Sequence, residues 1–202
     1  MKVIVVASQK GGSGKSTIVR NLAVTAGQAG QRVLVIDLDK QGSVTEWWSK
    51  RAHSDNPDMV AATAQKLPQE LKAAAKNYDL VVIDTPPSDL DWLGDVLKLA
   101  DLILIPARPS VDDLLSVRAT IAKVKDVGTP FAFVLSQTTR TRMVADAIRE
   151  LARHGRVAPV NIAQRVSYVE AAIMGEGVTE GADSKAADEM KELWAYVEEI
   201  AS

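Results

Sequence analysis

The stretch Gln9-Lys10-Gly11-Gly12-Ser13-Gly14-Lys15-Ser16-Thr17 decides how this chain folds. Before it, Met1 to Ala7 holds the unbroken apolar run Val3, Ile4, Val5, Val6, the pattern of a short strand buried on both faces. After it, Ser16 to Ala29 carries Ile18, Leu22 and Ala26 at helical spacing. A glycine-rich run at a strand-to-helix junction is where a phosphate-binding loop has to sit. Glycines let backbone N–H groups converge on phosphate oxygens, the helix N-terminus adds partial positive charge, and Lys15 reaches the β- and γ-phosphates. Ser16 would supply the hydroxyl for Mg²⁺, and Thr17 stands one residue further on, where its hydroxyl could meet the α-phosphate. The run departs from the ordinary pattern G-x-x-x-x-G-K-[ST] at Gln9, where glycine is usual, and adds a lysine at position 10.

Working outward, further short apolar runs appear at Arg32 to Ile36, Leu80 to Ile83, Leu102 to Ile105 and Phe131 to Leu135, with a weaker one near Val157 to Ile162. Amphipathic stretches separate them. This alternation predicts an α/β fold, doubly wound, with a mostly parallel sheet covered by helices on both faces. His53 to Asp58 reads as a polar surface loop.

In such folds the reactive groups gather at the carboxyl ends of the strands, and acids fall there: Asp37 ends the second run and Asp84 the third. Leu80-Val81-Val82-Ile83-Asp84 has the form of a strand whose terminal carboxylate holds the shell of a Mg²⁺ ion. Asp37 supports Mg²⁺ or the loop, or else simply caps its strand.

At 202 residues and 47% apolar content the chain is long enough for one well-buried domain and short for two, so a single domain over residues 1–202 is expected. The absence of cysteine excludes a disulfide framework, a Cys-ligated zinc site and a thiolate-bound iron–sulfur cluster. No apolar run approaches membrane-spanning length and the first residues lack the pattern of a secretory signal. The expected location is cytoplasmic.

From Lys10 to Ser16 the chain resembles the deviant Walker A motif, K-G-G-x-G-K-[ST], of the ParA/MinD ATPases, and nearest among them the small ParF-like partition proteins that lack an N-terminal helix-turn-helix. The resemblance extends from Met1 to about Ile200 and implies ATP and Mg²⁺ as cofactors. It also implies an ATP-dependent homodimer in which Lys10 crosses to the phosphates of the other subunit. Asp37-Leu38-Asp39-Lys40-Gln41 is similar to the family's D-x-D-P-Q motif, which makes Asp39 the residue that orients the attacking water and leaves Lys40 where proline is usual. Ile105-Pro106-Ala107-Arg108-Pro109-Ser110 resembles the proline-containing loop that borders the nucleotide and the dimer seam, placing Pro106 and Pro109 there. Leu135-Ser136-Gln137-Thr138 stands where many relatives carry an adenine-reading asparagine.

Between Arg140 and Arg165 six arginines (Arg140, Arg142, Arg149, Arg153, Arg156 and Arg165) face two acids, a local excess of four positive charges. A helix from about Arg142 to His154 would put Val144, Ile148 and Leu151 on one side and arginines opposite. Such a group suits nonspecific phosphate-backbone contacts. ParA relatives bind nonspecific DNA as ATP-bound dimers and answer to a ParB-type or other cargo-adaptor activator, so the resemblance implies both partners and a nucleoid-associated location. The alternative is a MinD-like membrane-cycling ATPase. Against it, residues 170–202 hold nine acids and two lysines, the wrong sign for a helix on anionic lipid. With Met190, Leu193, Val197 and Ile200 at helical spacing, a packed helix and no membrane contact are expected.

Overall fold

The computed structural model describes residues 1–52, 56–87, 91–139 and 141–201. Its centre is a parallel sheet built from β1 (Lys2–Val6), β2 (Val33–Asp37), β3 (Asp58–Ala61), β4 (Leu80–Asp84), β5 (Leu102–Ala107), β6 (Phe131–Leu135) and β7 (Arg156–Val157), in the order β3-β2-β4-β1-β5-β6-β7. Alternate residues of each buried strand serve opposite layers, as period two requires. Ile4 and Val6 pack under α1 (Lys15–Gln28), α2 (Ser43–Ser49), α7 (Ser167–Met174) and α8 (Ser184–Ile200). Val3 and Val5 belong to the opposite core, with residues of α3 (Leu67–Ala74), α4 (Leu93–Leu97), α5 (Val111–Val127) and α6 (Arg142–Ala152). The doubly wound expectation therefore holds, with every strand pair parallel among the described residues.

The acidic terminal segment folds as expected: Met190, Leu193 and Val197 are buried in the core beneath α8, and Ile200 packs at its edge. Trp47 is 1% exposed in the same layer, with its Nε1–H donating to the Glu176 carbonyl at 3.0 Å.

Three local expectations need correction. Asp58 opens the edge strand β3 and pairs with Leu34, where a loop was expected; residues 53–55 of that stretch lie outside the described ones. The strand escapes sequence reading because it has four residues, none fully buried. Pro106 lies inside β5, paired with Val134, rather than in the loop beyond it. Ile103 N–H bonds toward β6, so residues 102, 104 and 106 face β1, whose pairing with β5 ends at Val6 and Leu104. Position 106 thus loses no ladder bond by lacking an N–H. The run near Val157 to Ile162 contributes only the two residues of β7. Beyond them, backbone bonds from Ala158 to Phe133 and from Ile162 to Leu135 carry the chain along the sheet edge.

One clamp joins α2 to the segment after α7. The Arg51 side chain, 2% exposed, bonds the Gly175 carbonyl at 2.9 Å and both Glu180 carboxylate oxygens, and its guanidinium lies 5.1 Å from the Trp47 ring centroid. Gly175 has φ +74°, and a Cβ there would stand 2.5 Å from the carbonyl carbon of Lys50. Gly175→Ala meets backbone strain and a backbone clash together. It is expected to destabilise the fold by roughly 2 kcal/mol or more, lowering Tm by about 4 °C or more. A thermal melt with an unchanged midpoint would refute this account of the clamp.

Candidate functional site

The sheet order places β1 between β4 and β5, and the carboxyl ends of β1, β2 and β4 open on one crevice. After β1 the chain turns through the glycine loop and enters α1 at Lys15. Gly12 at φ +69° and Gly14 at φ +100° take left-handed conformations that glycine adopts freely. Gly14 also packs tightly: a Cβ there would come within 3.2 Å of the Ser136 Cβ.

Strand register brings the acids together. Asp37 pairs directly with Asp84 across β2 and β4. Asp84 is fully buried, and Ser16 Oγ donates to its Oδ2 at 2.7 Å. Its other oxygen, Oδ1, is buried without a hydrogen-bond partner. Burial pushes the Asp84 carboxyl up to about 7, with Asp37 and Asp39 adding to the shift and the Ser16 bond and Lys15 opposing it. The Lys15 ammonium sits in the same pocket; burial lowers its pKa while Asp84 and Asp39 pull the other way.

Asp37, though adjacent, is occupied. Its Oδ1 accepts the Asp39 N–H at 3.0 Å, and its Oδ2 accepts both the N–H and the hydroxyl of Thr45, at 3.0 and 2.8 Å. Of the readings open for Asp37, the hydrogen bonds favour support of the loop. Asp39 is half-buried, accepts the Gln41 N–H at 2.9 Å, and leaves Lys40 exposed.

A hydroxyl and a carboxylate with one orphaned oxygen, beside a lysine and a glycine loop, form a donor set that a hard divalent cation on a phosphate would complete. Ser16 and Asp84 fit that role. No three-residue acid or histidine cluster occurs among the described residues, so Mg²⁺ held here would rely on nucleotide oxygens and water.

Lys10 sits on the rim of the loop, about a third exposed, and its ammonium pairs with buried Asp113 in the first turn of α5 at 2.6 Å. Ser110 caps that helix: its hydroxyl accepts the Asp113 N–H and donates to the same Asp113 carboxylate oxygen that holds Lys10. Pro109 lies in the loop just before this cap. Beside the glycine loop opens a cavity of about 630 Å³ whose wall includes Thr17, Ile18, Gln137, Ile162, Val166 and Val169. An apolar slot at this size and place suits a flat base and its ribose. Thr17 lies on its wall, next to the loop.

The arginines are not gathered in one patch. Arg142 opens α6 at the carboxyl end of the sheet, whereas Arg156 begins β7, paired with Ala132 at the opposite end. Arg149 and Arg153 are exposed and bonded to Asp146 and Glu150 on their own helix. Arg165 lies beside the base cavity, held by Glu189 at 2.6 Å. Arg140 lies outside the described residues. The α6 reading otherwise holds: Val144, Ile148 and Leu151 face the core.

The resemblance places the segments of Arg108 and Gln137 beside the nucleotide but gives Arg108, Gln137 and Asp113 no individual role, although each touches the glycine loop or its rim. The only sequence signal for Asp113 is the Ser110-x-x-Asp113 spacing of a helix cap.

Crevice, glycine loop, buried lysine and strand-end carboxylates define a P-loop nucleotide-binding domain. The family described as CobQ/CobB/MinD/ParA nucleotide binding domain matches residues 4–178, and the chain belongs to it. It is 34% identical over 203 residues to the maintenance of carboxysome distribution protein A of Halothiobacillus neapolitanus, covering 94% of this chain and 93% of that one. It is 31% identical to the chromosome-partitioning ATPase Soj of Thermus thermophilus over 61% of each chain. The fold superposes on apo McdA of Cyanothece with a TM-score of 0.80 at 21% identity over the whole of both chains.

The raised Asp84 pKa has a measurable sign. Between the unfolded value near 3.8 and the folded value of about 7, the folded chain keeps a proton that the unfolded chain has lost. Stability of the nucleotide-free protein therefore falls as pH rises through that window, by up to about 1.4 kcal/mol per pH unit. Asp84→Asn is expected to flatten this slope in urea melts from pH 5 to 8. An equal slope in both proteins would place the titration elsewhere.

Proposed function

We propose that this protein is an ATPase of the ParA type: Mg-ATP joins two copies face to face, the dimer binds DNA nonspecifically, and a partner protein stimulates hydrolysis and release, so that a cargo is positioned. The observation that carries this reading is the pair of lysines on one loop, Lys15 buried beside Asp84 and Lys10 on the outer rim. A buried lysine serves the phosphates of its own subunit. Lys10, on the rim, would serve those of a neighbour.

Phosphoryl transfer depends on positioning and charge stabilisation. Lys15 would neutralise the β- and γ-phosphates, Ser16 and Asp84 would hold Mg²⁺, and Asp39 would orient the attacking water. Mg²⁺ held by Ser16 and Asp84 would supply positive charge that offsets the charge of the phosphates. The Asp37 bonds to the Asp39 N–H and to Thr45 support this assignment, because they fix the loop that carries Asp39. The named roles of the two relatives, carboxysome distribution and chromosome partition, support a positioning task.

For DNA, the exposed arginines Arg142, Arg149, Arg153 and Arg156 are the candidates. The ion pairs of Arg149 and Arg153 are exposed, and such pairs are weak enough to yield to phosphate. Arg165 is the poorest candidate, since two of its guanidinium nitrogens are held by the Glu189 carboxylate. The membrane-cycling alternative is less well supported, because α8 turns its apolar stripe into the core.

The lysines separate the steps. Lys10→Ala is expected to bind ATP as a monomer yet fail to dimerise with it, whereas Lys15→Ala loses both, read by nucleotide titration and light scattering. Normal ATP-dependent dimerisation of Lys10→Ala would overturn the assignment. DNA affinity of the ATP-bound form should fall with log salt at a slope of about 0.9 per phosphate contacted. Retention on anionic vesicles without retention on DNA would favour the membrane reading.

A further inference from the structure

Resting on the nucleotide-loop reading above, we propose that Arg108 and Gln137 are positioning residues that set the orientation of the phosphate-binding loop by sharing one of its carbonyls. The Gly12 carbonyl accepts Gln137 Nε2 at 2.8 Å and also Arg108 Nη2, one donor for each of its two lone pairs. The next carbonyl, that of Ser13, accepts the Ser136 hydroxyl at 2.5 Å. Two consecutive carbonyls of the glycine loop are thus drawn toward the segments that follow β5 and β6.

In a trans peptide the C=O and the following N–H point in opposite directions. The only cis bond among the described residues is Asn56–Pro57, so the peptides after Gly12 and Ser13 are trans. Drawing their carbonyls toward Arg108, Gln137 and Ser136 turns the N–H groups of Ser13 and Gly14 the other way. Neither N–H has a hydrogen-bond partner among the described residues. They are the donors a β-phosphate needs. Left to itself, a glycine loop samples many peptide orientations, and a phosphate would have to order it on binding.

Two features mark the clamp as more than incidental packing. Gln137 is the only non-glycine residue with positive φ among those described, at 51°. A left-handed glutamine is strained, and such strain collects where surrounding structure imposes it for a purpose. Its side chain touches the glycine loop while its residue walls the base cavity, so one residue spans both halves of the site. Arg108 leaves β5 just before Pro109 and packs closely on Gly12: at φ +69° that position favours glycine, and a Cβ there would stand 2.7 Å from Nη2 and make the guanidinium shift.

The test measures Mg-ADP binding and, for ATP, kcat and KM separately, in Arg108→Ala, Gln137→Ala and the double variant. Because either donor alone can hold the carbonyl, each single variant should weaken ADP binding by about threefold or less, and the double by about tenfold or more, beyond the product of the singles. On the Gln137→Ala background, Arg108→Lys, which keeps a donor, should restore ADP binding, whereas Arg108→Met, of similar length, should not. Both side chains are partly exposed, and melts of the nucleotide-free variants report any loss of fold separately. A double variant that binds ADP as well as the unaltered protein, or a methionine variant equal to the lysine variant, would overturn the clamp. Failure of the unaltered protein to bind ADP or ATP would instead remove the nucleotide reading itself.

Discussion

The bond from Ser16 Oγ to the buried Asp84 carboxylate is the point on which the site depends. It ties the first turn of α1 to the end of β4, two elements far apart in sequence that the sheet order brings side by side through β1. Burying a carboxylate is costly unless it is paired and hydrogen-bonded. Here one oxygen has Ser16, the other has nothing, and Asp37 and Asp39 add repulsion that Lys15 only partly relieves. The site is thus electrostatically unsatisfied on its own. A cation drawn to Asp84 and phosphates drawn to Lys15 and the loop N–H groups would each relieve part of that deficit.

The three aspartates at the strand ends do different work because their surroundings differ. Asp37 is as buried as Asp84, yet three donors from the Asp39 loop and α2 consume its lone pairs, so it shapes the backbone. Asp39 accepts the Gln41 N–H on a loop that Asp37 holds in turn, and the water-orienting role proposed for it draws on the acceptor capacity that remains. Asp84 keeps one oxygen unspent. Spacing alone would have ranked all three alike.

That contrast shows what the sequence could carry. The Val3–Val6 and Leu80–Ile83 runs are continuous because both faces of a central parallel strand are buried, so strand, loop and site acid were legible together. The edge strand β3 was not, since an edge residue needs no apolar partner on each face. The division of labour among the acids was legible only through motif resemblance, which left Asp37 between readings that its hydrogen-bond partners decide. The arginines looked like a group because sequence distance on one segment is short. An α-helix of 11 residues nonetheless spans about 16 Å, enough to carry Arg142 and Arg153 to opposite ends of the sheet. The segments of Arg108 and Gln137 were legible as borders of the nucleotide site, but the contact they share was not, because their partner is a backbone carbonyl on a third segment.

The Lys10–Asp113 pair sets a threshold for the proposed dimer. In the single chain the Lys10 ammonium neutralises a carboxylate that is nearly fully buried, with Ser110 as its other partner. Removing one member of a buried pair typically costs about 3–5 kcal/mol, because the remaining charge is left without its counter-ion. Asp113 is the more buried partner, 5% exposed against 32% for Lys10, so most of that cost would fall on Asp113. A neighbour must therefore offer Lys10 more negative charge than Asp113 does before it crosses. A triphosphate offers more than a diphosphate, and so a lysine tethered in this way would respond to the γ-phosphate without contacting it in the free subunit.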